Sequence, residues 1–152
     1  MGVTIKGIEE AFASIVNVEA DINNIVVDAL CSVLEKEYQA SVSRPEGESW
    51  HNVSGNTRSS IGYGVALDGE VVRVGGFMVF KNGSVGAEEG KNLVGSLLHG
   101  EKGISAVILC AVDYAEHVQD IKGIDILNSA ELDTEKELEV MGQKINVQVW
   151  KL

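Results

Sequence analysis

The residues best suited to chemistry cluster in the segment SGNTRSSIGYG, at positions 54–64. It combines glycines, an asparagine, an arginine and several hydroxyl side chains just ahead of a predicted strand. Such a segment could hold a nucleophilic serine, cradle a phosphate or form part of a structural interface. A nucleophile at Ser59 or Ser60 would need a general base and usually a turn of the GxSxG type. His51 is near in sequence but the turn pattern is missing, so the sequence disfavours catalysis by this loop.

Phosphate and metal sites are also disfavoured by residue spacing. The segment at 86–92 has three residues between its glycines, has no hydroxyl residue after its lysine, and places two carboxylates where a phosphate would bind. The three histidines show no spacing typical of metal ligands: His51, His99 and His117. The sequence therefore predicts no catalytic residue, no cofactor and no metal, in a protein that is not an enzyme.

Composition predicts one ordinary globular domain over residues 1–152, since 45% of the residues are hydrophobic and 23% are charged. The formal net charge of −11 argues against a surface that grips nucleic acid or an anionic membrane. Such acidity either keeps the chain soluble or forms a wall past which DNA slides. Cys31 and Cys110 are expected to be small buried residues without a disulfide. The first residues lack a signal peptide, so we expect synthesis in the host cytoplasm.

A long amphipathic helix is the clearest predicted element. From Val18 to Val42 apolar residues recur every three or four positions, and Pro45 ends the pattern. A strand at Val3–Ile5 and a short helix at Ile8–Val16 are predicted before it. Residues 43–60 are rich in turn formers and have no period, which predicts an extended loop.

A β-hairpin is predicted next, with Asp68 and Gly69 as its two-residue turn. Counting outward from the turn gives the expected cross-strand pairs: Leu67 with Glu70, Val65 with Val72, Tyr63 with Val74, Gly64 with Arg73, and Gly62 with Gly75. This register gives the hairpin one apolar face.

Four later features complete the predicted fold. A turn at Asn82-Gly83 precedes a helix at Ala87–Leu98, and the apolar run 104–112 predicts a strand in the middle of a sheet. An acidic helix at 129–141 is typical of a solvated or a partner-facing surface, and 144–150 alternates as a strand. The sequence thus predicts an α+β fold, with an antiparallel or mixed sheet packed against one long amphipathic helix and additional short helices.

Two short motifs in a fixed order suggest a family. The pattern [ST]G-x-[LT]-R-x-S-I leading into a hairpin is matched by Ser54, Gly55, Thr57, Arg58, Ser60 and Ile61. A later Y-A-x-x-V pattern is matched by Tyr114, Ala115 and Val118. With the long helix and its proline, this order resembles the tail-completion or head–tail joining proteins of long-tailed bacteriophages. Two features depart from that family: Ser54 replaces the usual threonine, and QDIKG follows Val118 where a glycine-rich turn is common.

The resemblance implies a structural virion protein of the neck, which joins the DNA-filled head to the tail. It implies a ring of copies of this chain that contacts the portal or an adaptor on one side and a tail-tube or tail-terminator protein on the other. DNA would pass nearby without specific binding, and no membrane would be involved. The sequence does not distinguish tail completion from head closure or tail termination, and a small cytoplasmic protein-binding module or regulator is the alternative function.

Ring assembly requires two different patches on each subunit. The segment from Pro45 to Ser60 is a candidate reaching arm, in which Arg58 would pair with carboxylates of a neighbour. Trp50, in the same loop, is either tucked beneath it or presented to a partner. The predicted interface residues are Trp50, Ser54, Gly55, Asn56, Thr57, Arg58, Ser60 and Tyr114.

Overall fold

The computed structural model describes residues 8–45, 53–112, 127, 129–130 and 133–140. The elements are α1 (Ile8–Val42), α2 (Asn56–Ser59), β1 (Ile61–Leu67), β2 (Glu70–Gly76), α3 (Ser84–Leu98) and β3 (Ile104–Cys110). The three strands form an antiparallel sheet in the order β2-β1-β3. With its long helix and short helices, this sheet confirms the predicted α+β fold. The predicted strands at Val3–Ile5 and 144–150 lie outside the described residues.

The helix α1 is one continuous element of 35 residues, about 52 Å long. The sequence-based separation into a helix ending at Val16 and another starting at Val18 is therefore wrong. No glycine or proline occurs between Ile8 and Val42, and Asn17 alone does not stop a helix. Neither this helix nor any other described one is both long enough and apolar enough to cross a membrane.

The hairpin turn forms at Asp68 and Gly69, as predicted, and both have the positive φ of a type I′ turn. Leu67 pairs with Glu70 as expected, but a β-bulge between Val65 and Ala66 shifts the rest of the register. The other predicted pairs are wrong, since the shift gives these partners: Val65 with Arg73, Gly64 with Val74, Tyr63 with Gly75, and Gly62 with Gly76. In the shifted register the ring of Tyr63 lies where a Cβ on Gly75 would be, so a glycine is required opposite it.

Both faces of β1 are buried, whereas the sequence predicted one apolar side for the hairpin. Ile61, Tyr63 and Val65 pack into the cluster beneath α1. The alternate residues are Gly62, Gly64 and Ala66, which leave room for a second layer. A Cβ on Gly64 would overlap Val94 of α3, so the missing side chains let α3 lie directly on the sheet.

In the part of the sheet that the structure describes, the middle strand is β1 and not the run at 104–112. That run forms β3, which ends at Cys110 and pairs with β1. The physical reason is that β1 alternates small residues with large ones, so that helices cover it on both sides. An apolar run alone does not carry that information.

The predicted C-terminal helix is described at 129–130 and 133–140, and both stretches are helical. Ala130 is buried, Leu127 packs against the α1 cluster, and Glu137 forms an ion pair with Lys36 of α1. This acidic helix therefore contacts α1 along one side, while most of its described residues at 133–140 remain exposed to solvent. Cys31 and Cys110 are free thiols, both half-buried.

Two glycines of α3 provide a matched stability test. A Cβ on Gly90 would overlap the buried ring of Phe77, whereas a Cβ on Gly95 would have no heavy atom within 4 Å. We expect Gly90→Ala to destabilise the fold by about 1–3 kcal/mol through overpacking. We expect Gly95→Ala to stabilise it by up to about 1 kcal/mol, because alanine favours a helix interior. Urea unfolding of both variants checks this, and equal effects would contradict the assigned packing of α3.

Glu37 predicts a pH dependence of stability. Its side chain is buried against the C-terminal helix, and burial, with a smaller contribution from Asp133, raises the pKa of its carboxyl above the ordinary 4.5. A carboxyl whose pKa is raised by folding destabilises the native state once it ionises, so stability falls as pH rises through the folded-state pKa. Glu37→Gln should therefore stabilise the protein at pH 7 and lose that advantage below pH 4.5.

The exposed Glu88 is the matched control, because Glu88→Gln removes the same charge from a chain of net charge −11. Urea unfolding at pH 7 and near pH 4 measures the difference between the variants. A pH-independent effect of Glu37→Gln would contradict this account of its burial.

Candidate functional site: a groove beside the serine-rich turn

The motif at 54–60 is folded into the domain and does not form a free arm. Asn56–Ser59 make the single turn α2, which corrects the extended loop predicted over 43–60. Gly55 begins the turn with a φ of 89°, and a Cβ there would overlap the carbonyl of Phe80. Because glycine tolerates this φ without strain, the SG pair of the motif is explained by backbone geometry.

Two of the three serines in this segment, Ser59 and Ser60, are fully buried and stabilise the fold. Ser59 Oγ accepts a hydrogen bond from the backbone N–H of Phe80 at 2.8 Å. Ser60 Oγ donates to the carbonyl of Thr57 at 2.9 Å and lies 3.3 Å from Cys110 Sγ. Burial also raises the pKa of the Cys110 thiol. Neither hydroxyl is accessible to a substrate in this structure, and His51 lies outside the described residues.

Arg58 contacts its own chain. The side chain is half-buried and its guanidinium donates to the backbone carbonyl of Arg44, just beyond the end of α1. It therefore fastens α2 to the segment that follows the long helix. The prediction that Arg58 reaches out to a neighbour's carboxylates loses its support, and we expect Arg58→Glu to weaken the monomer itself.

Glycines of α3 allow α2 to pack against it. A Cβ on Gly83 would overlap Ser59 Oγ, one on Gly86 would overlap the carbonyl of Asn56, and one on Gly90 would overlap Phe77. These three positions face α2 and the start of β1. The backbone of the motif thus lies against the α3 backbone, an approach that side chains would prevent.

This packing gives the predicted interface residues that the structure describes different degrees of exposure to solvent. Gly55, Thr57 and Ser60 are buried within the domain, so they support the fold and present no contact surface in this conformation. Ser54 is exposed, and Asn56 and Arg58 are half-buried. Trp50 and Tyr114 lie outside the described residues. Of the six described, Asn56 has the most informative position, because it lines a groove.

This α3 groove runs between α3, α2 and the end of β3, with a volume of about 590 Å³. Four of its lining residues are apolar: Val85, Leu93, Ala111 and Val112. Val85 and Leu93 are exposed to solvent although they are large and apolar. The groove has the shape and composition that accept an apolar side chain or helix face from another molecule.

Polar groups complete the lining of the α3 groove: Asn56, Glu89, Asn92 and Ser96. The Oδ1 atom of Asn56 is buried and accepts no hydrogen bond from any residue that the structure describes. Leaving a buried acceptor without a donor costs roughly 1–3 kcal/mol. The groove therefore combines an apolar surface with polar side chains.

A second surface lies on α1. Its residues 12–20 are all exposed, and we call them the exposed helix segment. The exposed fractions reach 64% for Phe12, 62% for Ile15 and 61% for Val16, although such side chains are normally buried. The first buried residue on the core-facing side of α1 is Val27, about three turns after Val16. In the described structure this end of α1 thus presents a large apolar surface to solvent.

The sequence contained a signal for this surface. A narrow polar stripe runs along this part of α1, formed by residues at helical spacing: Ser14, Asn17, Asp21, Asn24 and Asp28. Between Phe12 and Val18 the rest of the helix surface is apolar, whereas Glu19, Asn23, Lys36 and Glu37 interrupt it further along α1. By contrast, the α3 groove is lined by residues far apart in the sequence, so no local sequence pattern predicts it.

Among the residues that the structure describes, no three metal-binding side chains of the His, Cys, Asp and Glu types lie close together. No family model matches the chain, and no curated protein or solved structure shows significant similarity to it. A functional hypothesis for this protein therefore rests on the α3 groove and the exposed helix segment.

Ser59 provides a test of the motif's structural role. Ser59→Ala would leave the backbone N–H of Phe80 without its acceptor, so we expect a loss of about 1–3 kcal/mol in unfolding free energy. Ser54→Ala, in the same motif but exposed, should change stability by less than about 0.5 kcal/mol. Chemical denaturation of both variants checks this. Equal stabilities would show that the buried serine is dispensable.

Proposed function

We propose that this chain is a structural subunit of a tailed-bacteriophage virion, at the neck between head and tail, and that it acts by assembling into a ring. The motif order resembles that of neck proteins, and the surfaces of the domain support assembly. Copies of itself are the first partner. The portal or adaptor on one side and a tail-tube or tail-terminator protein on the other are the expected neighbours.

The observation that carries the proposal is the exposed helix segment. Burying a Phe, Ile or Val side chain contributes roughly 1.5–3 kcal/mol each, so Phe12, Ile15 and Val16 together favour association substantially. Association must also offset lost translational and rotational freedom. One contact of this size is weak, but in a closed ring every copy makes two, and closure stabilises the whole.

The negative net charge of the chain is compatible with a position beside DNA that passes without being bound. A net charge of −11 argues against a surface on which phosphates would be neutralised and held. An acidic subunit therefore suits a channel through which DNA passes without binding. Residues 12–18 contain no charged side chain, so this part of α1 can meet another copy despite the overall acidity.

Assembly is tested by measuring mass in solution. We expect the purified protein to form an oligomer of defined mass at micromolar concentration, and negative-stain images to show rings with a central opening. Phe12→Asp should shift the oligomer to monomer without changing its circular dichroism, because Phe12 makes no buried contact in the domain. Val53→Asp, which alters an 85% exposed valine outside both surfaces, is the matched control.

A wild-type protein that stays monomeric at every concentration would contradict self-assembly. The position in the virion is tested separately, by cryo-electron microscopy of particles of a phage that encodes the chain. We expect the subunit in the neck. Its absence from purified particles would contradict the proposed role.

A further inference from the structure

We infer that the exposed helix segment of one copy occupies the α3 groove of the next copy, so that the ring is built head to tail. This inference rests on the proposed self-assembly and names the two surfaces that carry it. Each copy then contributes one helix and one groove, which is the arrangement that a heterologous ring requires.

The width of the apolar face argues for a groove as the partner. At 3.6 residues per turn, Val16, Phe12, Ile15 and Val18 cover an arc of about 160° around the helix. Two helices that pair through a coiled-coil seam bury a narrower stripe on each. A partner with two walls can bury a surface this wide, and the α3 groove has α3 on one side and the end of β3 on the other.

The lengths of the two surfaces also agree. The lining residues of α3 extend from Val85 to Ser96, about 16 Å along the helix axis. Residues 12–19 of α1 span about 10 Å, or two turns. The groove therefore has room for Phe12, Ile15 and Val16 together.

Polar groups determine the direction of the helix. Glu19 falls within the arc, and the Coulomb repulsion of Glu89 disfavours its placement in the half of the groove that Val85 and Glu89 line. At the other end, Asn92 and Ser96 offer an amide and a hydroxyl as donors. The helix thus lies parallel to α3, with Phe12 toward the Val85 end of the groove and Glu19 toward the Ser96 end.

A copy cannot fill its own groove. The C-terminal half of α1 packs on the sheet face that carries Tyr63 and Val65, whereas α3 covers the opposite face. Because α1 is one unbroken helix, its first turns continue along its own axis and do not fold back around the sheet. The contact is therefore between molecules.

Complementation of two defective variants tests this arrangement. A helix variant, Phe12→Asp with Ile15→Asp, keeps its groove, and a groove variant, Val85→Asp with Leu93→Asp, keeps its helix. Each alone should be monomeric, with the apparent dissociation constant raised at least tenfold over wild type. A one-to-one mixture should form a dimer that grows no further, because only one helix and one groove remain competent. Because a single contact is weak, analytical ultracentrifugation at the highest attainable protein concentration measures all three samples.

The other possible outcomes contradict either the groove as the binding site or the proposed function. A groove variant that assembles like wild type, or a mixture that stays monomeric, overturns the groove as the binding site while wild-type rings still support assembly. A monomeric wild type overturns the proposed function itself. Circular dichroism confirms that the variants fold; if the double groove variant does not, Val85→Lys alone, at a position 57% exposed, repeats the test.

Discussion

The close approach of α3 to the sheet and to α2 depends on glycines, because a residue without a side chain lets two backbones come together. Gly62 and Gly64 of β1 leave space for Phe77 and Val94, and Gly90 of α3 completes the space for the Phe77 ring. Because this backbone contact is so close, α2 lies against α3 and Asn56 reaches the edge of the groove. The same glycines that weaken α3 as an isolated helix therefore create the surface to which we assign assembly.

Local patterns predicted the elements, but long-range packing decided how they pair. Asp68-Gly69 identified the hairpin turn, and the three-to-four-residue period identified α1. The β-bulge beyond Ala66 could not be predicted from the turn signal, and in the register that it produces the Tyr63 ring lies over Gly75. The one-turn helix α2 was missed for a similar reason: four residues have no period, and the turn is stabilised by the buried serines.

The candidate site was predicted only in part. The sequence singled out the motif at 54–60 correctly as unusual, but its hydroxyl groups and its arginine hold the domain together. Of the six predicted interface residues that the structure describes, Asn56 alone lines the groove, and Val85, Leu93, Ala111 and Val112 were missed because they meet only in three dimensions. The exposed end of α1 was not predicted, because residues 8–16 were assigned to a separate short helix and the exposure follows from the fold.

The central claim is that copies of this chain join through the first turns of α1 and the α3 groove. It is tested most directly by replacing Phe12 with the photoreactive benzoylphenylalanine and irradiating a mixture of isotopically light and heavy copies. The account predicts cross-links from position 12 to the 85–96 segment of a differently labelled copy. Cross-links to α1 of another copy, or to surfaces other than the groove, would contradict it.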